Sequence, residues 1–219
     1  MQDMQTNTYL NLGEGNKFDN GDLMEVISDL DAITKELAAL QKKQDNVMQL
    51  AREATRMAGE AISAMHSKDK AKVKRIMLNL EKSMKRLKTI EKGFEYYSAI
   101  AHQEYVEAYS LYCVVSNKKI PSAKAMGEDV RSYMGGVMDL VGELKREAYE
   151  AMRAGEMDIA EAYYETMKDI YDSTMHIRFA NSILQNFRKK QDVARIQLET
   201  TGSELLYLKS RKSSQGNKL

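Results

Sequence analysis

From Asp22 onward, apolar residues return every three or four positions: Val26, Leu30, Ile33, Leu37 and Leu40, then, past Gln44, Val47, Ala51, Ala54, Ala58, Ala61 and Met65. This heptad-like spacing predicts one long amphipathic helix running to about His66, with Asp22 as its N-cap. The second half of the seam is mostly alanine, which permits close packing. At 1.5 Å per residue such a helix spans about 66 Å, whereas a compact domain of this size has a radius of gyration of about 17 Å. It must bend near Gly59 or pack against other subunits, and self-association is the favoured reading.

Five more helices follow from the same periodicity. Ser67 and Asp69 cap a second, with Val73, Ile76, Met77, Leu80, Met84 and Leu87 inward and an end at Gly93. A third runs from about Phe94 to Val115, crowded with Tyr96, Tyr97, Tyr105, Tyr109 and Tyr112, which read mostly as core or interface aromatics. A short connection at 117–127 holds the one proline, Pro121. The fourth covers about Glu128 to Arg153 and stops at Gly155, and the fifth spans Glu156 to Phe179. The sixth starts near Ser182 along the seam Leu184, Phe187, Gln191, Ala194, Leu198, Thr201, Leu205 and Leu208.

β-branched residues never alternate, so no strand is predicted. The expected fold is all-α: a single-domain antiparallel bundle of about six or seven helices with a long N-terminal helix. Residues 1–21, rich in Gln, Asn, Thr and Gly, read as a flexible arm, 22–212 as the helical domain, and 213–219 as a frayed tail. The 15 methionines, spread over several helices, read as adaptable core filler.

Several function classes drop out. A single cysteine, Cys113, leaves no intrachain disulfide or Cys-rich zinc site, which suits a reducing cytoplasm. No apolar run approaches the roughly 20 residues of a membrane span, and no signal-peptide pattern opens the chain. The protein reads as soluble and cytoplasmic. Gly-rich phosphate loops and Ser-His-Asp sets are missing. His66, His102 and His176 form no ligand pattern, and none sits in the Glu-x-x-His spacing of a di-iron bundle.

The formal net charge of +1 hides a block structure. Residues 1–66 carry −5, 67–92 carry +7, 93–180 carry −6 and 181–219 carry +5. The outer face of the second helix, including Lys68, Lys72, Arg75, Lys82 and Arg86, is either a solvated surface or a nucleic-acid contact. Its excess of bases favours the contact. Arg188, Lys189 and Lys190 form a weaker basic cluster.

The chemistry concentrates in two segments. In the third helix Ile100, Glu104, Glu107, Ala108, Leu111 and Val115 share a stripe, so two acids interrupt an apolar seam. In the fourth, Gly135, Gly136, Asp139, Gly142 and Glu143 share a face stripped of large side chains, where a neighbouring helix or a ligand can come close. Four carboxylates held on two apposed helices are protonated, paired with bases or neutralised by a metal. Oxygen-only donors suit Mg²⁺ or Mn²⁺. Spacing alone leaves salt bridges and a metal site both open. His102 falls off the acid stripe and reads as a hydrogen-bonding or RNA-contacting residue.

Gln103-Glu104-Tyr105-Val106-Glu107-Ala108 resembles the Gln-Glu-Tyr-Val-Glu-Ala segment of the translin-associated factor X family, and Asp139-Leu140-Val141-Gly142-Glu143-Leu144 is similar to its Asp-Leu-x-Gly-Glu-Leu. Tyr133-Met134-Gly135-Gly136-Val137 stands in place of that family's Tyr-Leu-x-Gly-Val, and the likeness covers roughly residues 25–210. It implies all-helical subunits assembled into hollow octamers that enclose RNA. Translin members of the family bind RNA or single-stranded DNA, and factor X members supply a Mg²⁺-dependent endoribonuclease. Carried over, Glu104, Glu107 and Asp139 become catalytic metal ligands, with Glu143 a fourth. The short connection at 117–127 and the Gln/Asn-rich arm depart from the eukaryotic factor X pattern and imply a compact, archaeal-like member that forms a homo-oligomer by itself.

Overall fold

A computed structural model describes residues 20–216, with side chains over 24–211. Seven helices and no strands occur among the described residues: α1 (Asn20–His66), α2 (Lys70–Ile90), α3 (Glu95–Val115), α4 (Ala123–Met126), α5 (Val130–Arg153), α6 (Met157–Thr174) and α7 (Phe187–Gly216). The expected all-helical architecture is the one observed. The arm at 1–21 lies outside the described residues except for Asn20 and Gly21, which begin α1; the tail at 213–219 is α7 helix as far as Gly216.

The chain divides into two compact units, Met1–Lys43 and Gln44–Leu219. In the first, the seam residues Val26, Leu30, Ile33, Leu37 and Leu40 are all exposed. In the second, Val47, Ala51, Ala54, Ala58, Ala61 and Met65 are buried, and α1 is helical without interruption through Gly59. One periodic stripe thus has two environments.

Within the second unit α5 is the central element, packed against α3, α6 and α7, with α7 also against α6 and α2 against α3. Leu80, Met84 and Leu87 of α2, Leu111 of α3, Leu140 and Leu144 of α5 and Met167 of α6 are fully buried. Side chains cap three of the helix starts. Asp69 accepts a hydrogen bond from the Lys72 amide, Ser122 from Ala125, and Asp129 from Arg131 and Ser132. The inner face of α2 is the predicted set of six. Cys113 is buried and free.

The structure moves three boundaries. α1 begins at Asn20, so Asp22 is a helical residue and not the N-cap. The fifth predicted helix was expected to reach Phe179, but α6 ends at Thr174. The Thr174 carbonyl accepts Ile177 N–H at 2.9 Å and Gln191 Nε2–H at 2.6 Å, bonds that replace the helical one. The sixth was expected from Ser182, but α7 starts at Phe187, after Asn186 at φ +56°, whose amide donates to Asn181 Oδ1. Long-range partners and a left-handed residue, rather than local propensity, fix this loop. The acid stripe of α3 is also shorter than expected, because Ile100 and Val115 are exposed.

Candidate functional site

The close approach of α3 and α5 rests on two glycines. A Cβ on Gly135 would stand 2.3 Å from Gln103 Oε1, and one on Gly136 would stand 2.5 Å from the Gln103 carbonyl oxygen. The glycine face of α5 therefore receives a neighbouring helix at its first turn and a half. Further along, Gly142 leaves room for Gln197 of α7, whose Nε2 would be 3.2 Å from an added Cβ.

This packing opens a cleft of about 470 Å³ whose walls include Glu104 and Glu107 of α3, Asp139 of α5, and Lys189, Lys190 and Gln197 of α7. Three of the four predicted acids face it together. The Asp139 carboxylate is held on two sides: Lys190 Nζ contacts both of its oxygens, and Gln103 Nε2 donates to Oδ2 at 2.8 Å. The fourth acid, Glu143, turns to α1, where its Oε2 lies 2.5 Å from His66 Nε2. His66 Nδ1 lies 2.6 Å from Glu147 Oε1, so the ring bridges two carboxylates one turn apart. Burial alone would lower the His66 pKa, but the bonds to Glu143 and Glu147 outweigh it and push it up to about 9.

Glu104 and Glu107 have no hydrogen bond or ion pair among the described residues. Glu107 is 8% exposed. Burial, then the charges of Glu104, Asp139 and Glu143, push its carboxyl up to about 8 against the opposing pull of Lys190. Burial and the Asp139 charge raise Glu104 in the same way, again opposed by Lys190. A buried carboxylate without a donor or a counter-ion is costly, and this pair shares one wall.

The Translin family pattern matches residues 22–201. The chain belongs to the Translin family. A relative in Methanocaldococcus jannaschii, an uncharacterised protein, is 31% identical over 188 residues, 84% of each chain. Two solved structures are similar in fold. The apo form of NeC3PO superposes with a TM-score of 0.76 at 22% identity, over 82% of this chain and 96% of that one. AfC3PO in complex with duplex RNA gives 0.77 at 23% identity, over 84% and 97%.

A hard divalent cation suits this family member's donors, which are all carboxylate oxygens, one of them on a residue only 8% exposed that has no hydrogen-bond partner among the described residues. As the side chains stand, no three His, Cys, Asp or Glu among the described residues are grouped to hold a metal ion. Two of the acids have partners of their own, Asp139 in Lys190 and Glu143 in His66.

The expected nucleic-acid contacts are placed unevenly. Lys72, Arg75, Lys82 and Arg86 are exposed on α2, Lys68 is exposed in the turn before it at φ +56° and not on the helix, and Arg188 and Lys189 are exposed on α7, but only Lys189 of these borders the acid cleft. His102 is buried, with Nδ1 2.5 Å from Glu128 Oε2 and Nε2 2.8 Å from Glu91 Oε2. Both ring nitrogens are engaged, so it is the hydrogen-bonding residue of the two readings and not a surface that RNA can reach. Lys88 Nζ, 2.6 Å from Glu128 Oε1 and 3.0 Å from the Met126 carbonyl oxygen, completes this cluster.

Sequence reasoning did not find His66, Gln103 or Lys190 as members of the acid site. His66 is 77 positions from Glu143, a pairing that no helical spacing encodes. Gln103 carried a signal in standing beside Glu104 opposite a glycine pair. Lys190 carried one in its basic cluster, but as a phosphate contact and not as an acid's partner.

Proposed function

We propose that this chain is a metal-dependent endoribonuclease of the factor X kind, acting on single-stranded RNA inside a homo-oligomeric, octamer-like shell in the cytoplasm. The observation that carries the proposal is the pair Glu104 and Glu107, without a hydrogen-bond or ion-pair partner among the described residues, on a cleft shared with Asp139 and two lysines. Glu104, Glu107 and Asp139 would hold Mg²⁺ or Mn²⁺, with Glu143 joining them on release from His66. The bound ion supplies polarisation of the phosphate and a lowered pKa for an attacking water. Gln103 holds Asp139 in place, Lys189 and Lys190 draw the phosphate backbone into the cleft, and Gln197 offers a neutral donor on its far wall. The exposed bases of α2 extend the same attraction, without sequence preference. The AfC3PO complex supports RNA as the ligand class. The exposed apolar seam from Val26 to Leu40 supports self-association, since contiguous exposed apolar surface marks interaction sites.

End-labelled single-stranded RNA, incubated with Mg²⁺ or Mn²⁺ and separately with EDTA, tests this reading. Cleavage only with metal, lost in Glu104→Gln and in Asp139→Asn while fold and assembly persist, is the expected result. Retained metal-dependent cleavage in a clean preparation of either variant removes that residue from the mechanism.

One observation favours a second reading. Lys190 and His66 already satisfy two of the four acids, as in a structural salt-bridge network. A non-catalytic holder of RNA or single-stranded DNA would then shift labelled RNA on a gel and leave it intact with metal present.

A further inference from the structure

We propose that Lys190 is the resident counter-cation of the acid cleft, that a divalent ion and the Lys190 ammonium compete for Asp139, and that the displaced ammonium turns to the RNA phosphate. The inference rests on the nuclease reading above and adds to it a residue that works in both states of the site.

Three features of the cleft lead there. First, Lys190 Nζ reaches both oxygens of Asp139, and Gln103 donates to one of them as well, so three contacts already claim this carboxylate. A carboxylate offers about four lone-pair sites. Little of Asp139 is left for a metal until the ammonium leaves. Second, the Lys190 charge is not confined to its partner, since Lys190 lines the same cleft as Glu104 and Glu107. It partly neutralises the acids that a divalent ion would neutralise fully. Third, the side chain can move without its helix. Lys190 is flanked by the buried Phe187 and by Gln191, which donates to the Thr174 carbonyl at 2.6 Å, so the backbone of the first turn of α7 is pinned. The lysine side chain is 22% exposed and has a flexible four-carbon stem, and the cleft it borders holds about 470 Å³. With Glu104, Glu107 and Asp139 taken up by a divalent ion, the target left for its charge in the open cleft is the anionic backbone of the substrate.

Competition has an unusual signature: removing a charged contact should improve metal binding while impairing the reaction. In the full-length protein at fixed pH, the Mn²⁺ affinity of Lys190→Gln, read from the EPR signal of free Mn²⁺, should exceed wild type by about tenfold or more, because one positive charge has left the site. Lys190→Arg, which keeps the charge, should bind Mn²⁺ no more tightly than wild type. At saturating Mn²⁺, Lys190→Gln should cleave labelled RNA at least about tenfold more slowly, the scale of one lost charged contact. In EDTA its Tm should fall below wild type, and Mn²⁺ should restore it.

A Lys190→Gln affinity equal to or weaker than wild type, or a Lys190→Arg affinity raised like that of the glutamine variant, overturns the competition and leaves the nuclease reading standing. Tighter Mn²⁺ with unimpaired cleavage overturns the transfer to phosphate. Failure of wild type and variants alike to bind Mn²⁺ brings down the nuclease reading and this inference with it.

Discussion

A methyl group on Gly136 would lie 2.5 Å from the carbonyl oxygen of Gln103 and 2.7 Å from Val106 Cβ, so α3 and α5 touch here with no room for a side chain. That contact brings Glu104 and Glu107 up to Asp139. Gly136→Ala must push against backbone and a β-branched residue, neither of which can swing away. It should cost about 1–3 kcal/mol and lower Tm by several degrees in a thermal melt. Gly135→Ala meets only the end of the Gln103 side chain. It should melt closer to wild type while displacing the Gln103 amide from Asp139 and slowing cleavage.

The buried Glu107 should make the metal-free protein sensitive to alkali. Its carboxyl is raised from 4.5 to about 8, so the folded state binds the extra proton between those values. Its contribution is most favourable below pH 4.5, declines as pH rises toward 8, and is fully unfavourable above that. Glu107→Gln in EDTA should therefore match wild type near pH 5 and melt several degrees higher near pH 8.5. Excess Mn²⁺ should abolish that advantage. Equal melting at pH 8.5 would mean that the carboxylate is satisfied in solution.

His102 gives a pH dependence outside the acid cleft. Burial opposes its charge, yet bonds to Glu128 and Glu91 raise its pKa from 6.5 to about 9. The stability it contributes is fully present below pH 6.5 and is lost as pH rises through about 9. The imidazole's upper limit is about 3 kcal/mol from a shift of that size. His102→Asn should flatten the fall in Tm between pH 6.5 and 9, leaving the part that His66 supplies, and should destabilise most at the acid end of that window.

The bases of α2 should act on affinity and not on the chemical step. Lys72, Arg75 and Lys82 are exposed, with no burial to lose. Alanine at all three should leave Tm unchanged, weaken RNA binding, and reduce the dependence of log K on log salt by about one per charge. An unchanged salt slope would make this face merely solvated.

The helices were legible because each repeats one chemical rule along its own length. The inner face of α2 and the buried seam from Leu184 to Leu205 were readable residue by residue, and the glycine–acid face of α5 announced a close approach. What stayed hidden depended on partners distant in sequence. The early end of α6 follows from Gln191 capturing the Thr174 carbonyl, and the turn of Glu143 away from the cleft follows from His66. The seam of α1 showed the reverse difficulty. Its period continues unchanged from Val26 to Met65, and the pattern does not tell that burial begins only at Val47.

His66 and His102, each clasped by two carboxylates, bear on how the whole molecule behaves in an electric field. Counting histidine as neutral gives +1 at pH 7, but two imidazoles protonated to about 9 and the Glu107 carboxyl protonated to about 8 move the folded, metal-free chain to about +4. The native protein should therefore focus at a higher pH than its unfolded chain, whose composition sets 7.7. Folding itself makes this polypeptide more attractive to polyanions than its amino-acid content suggests.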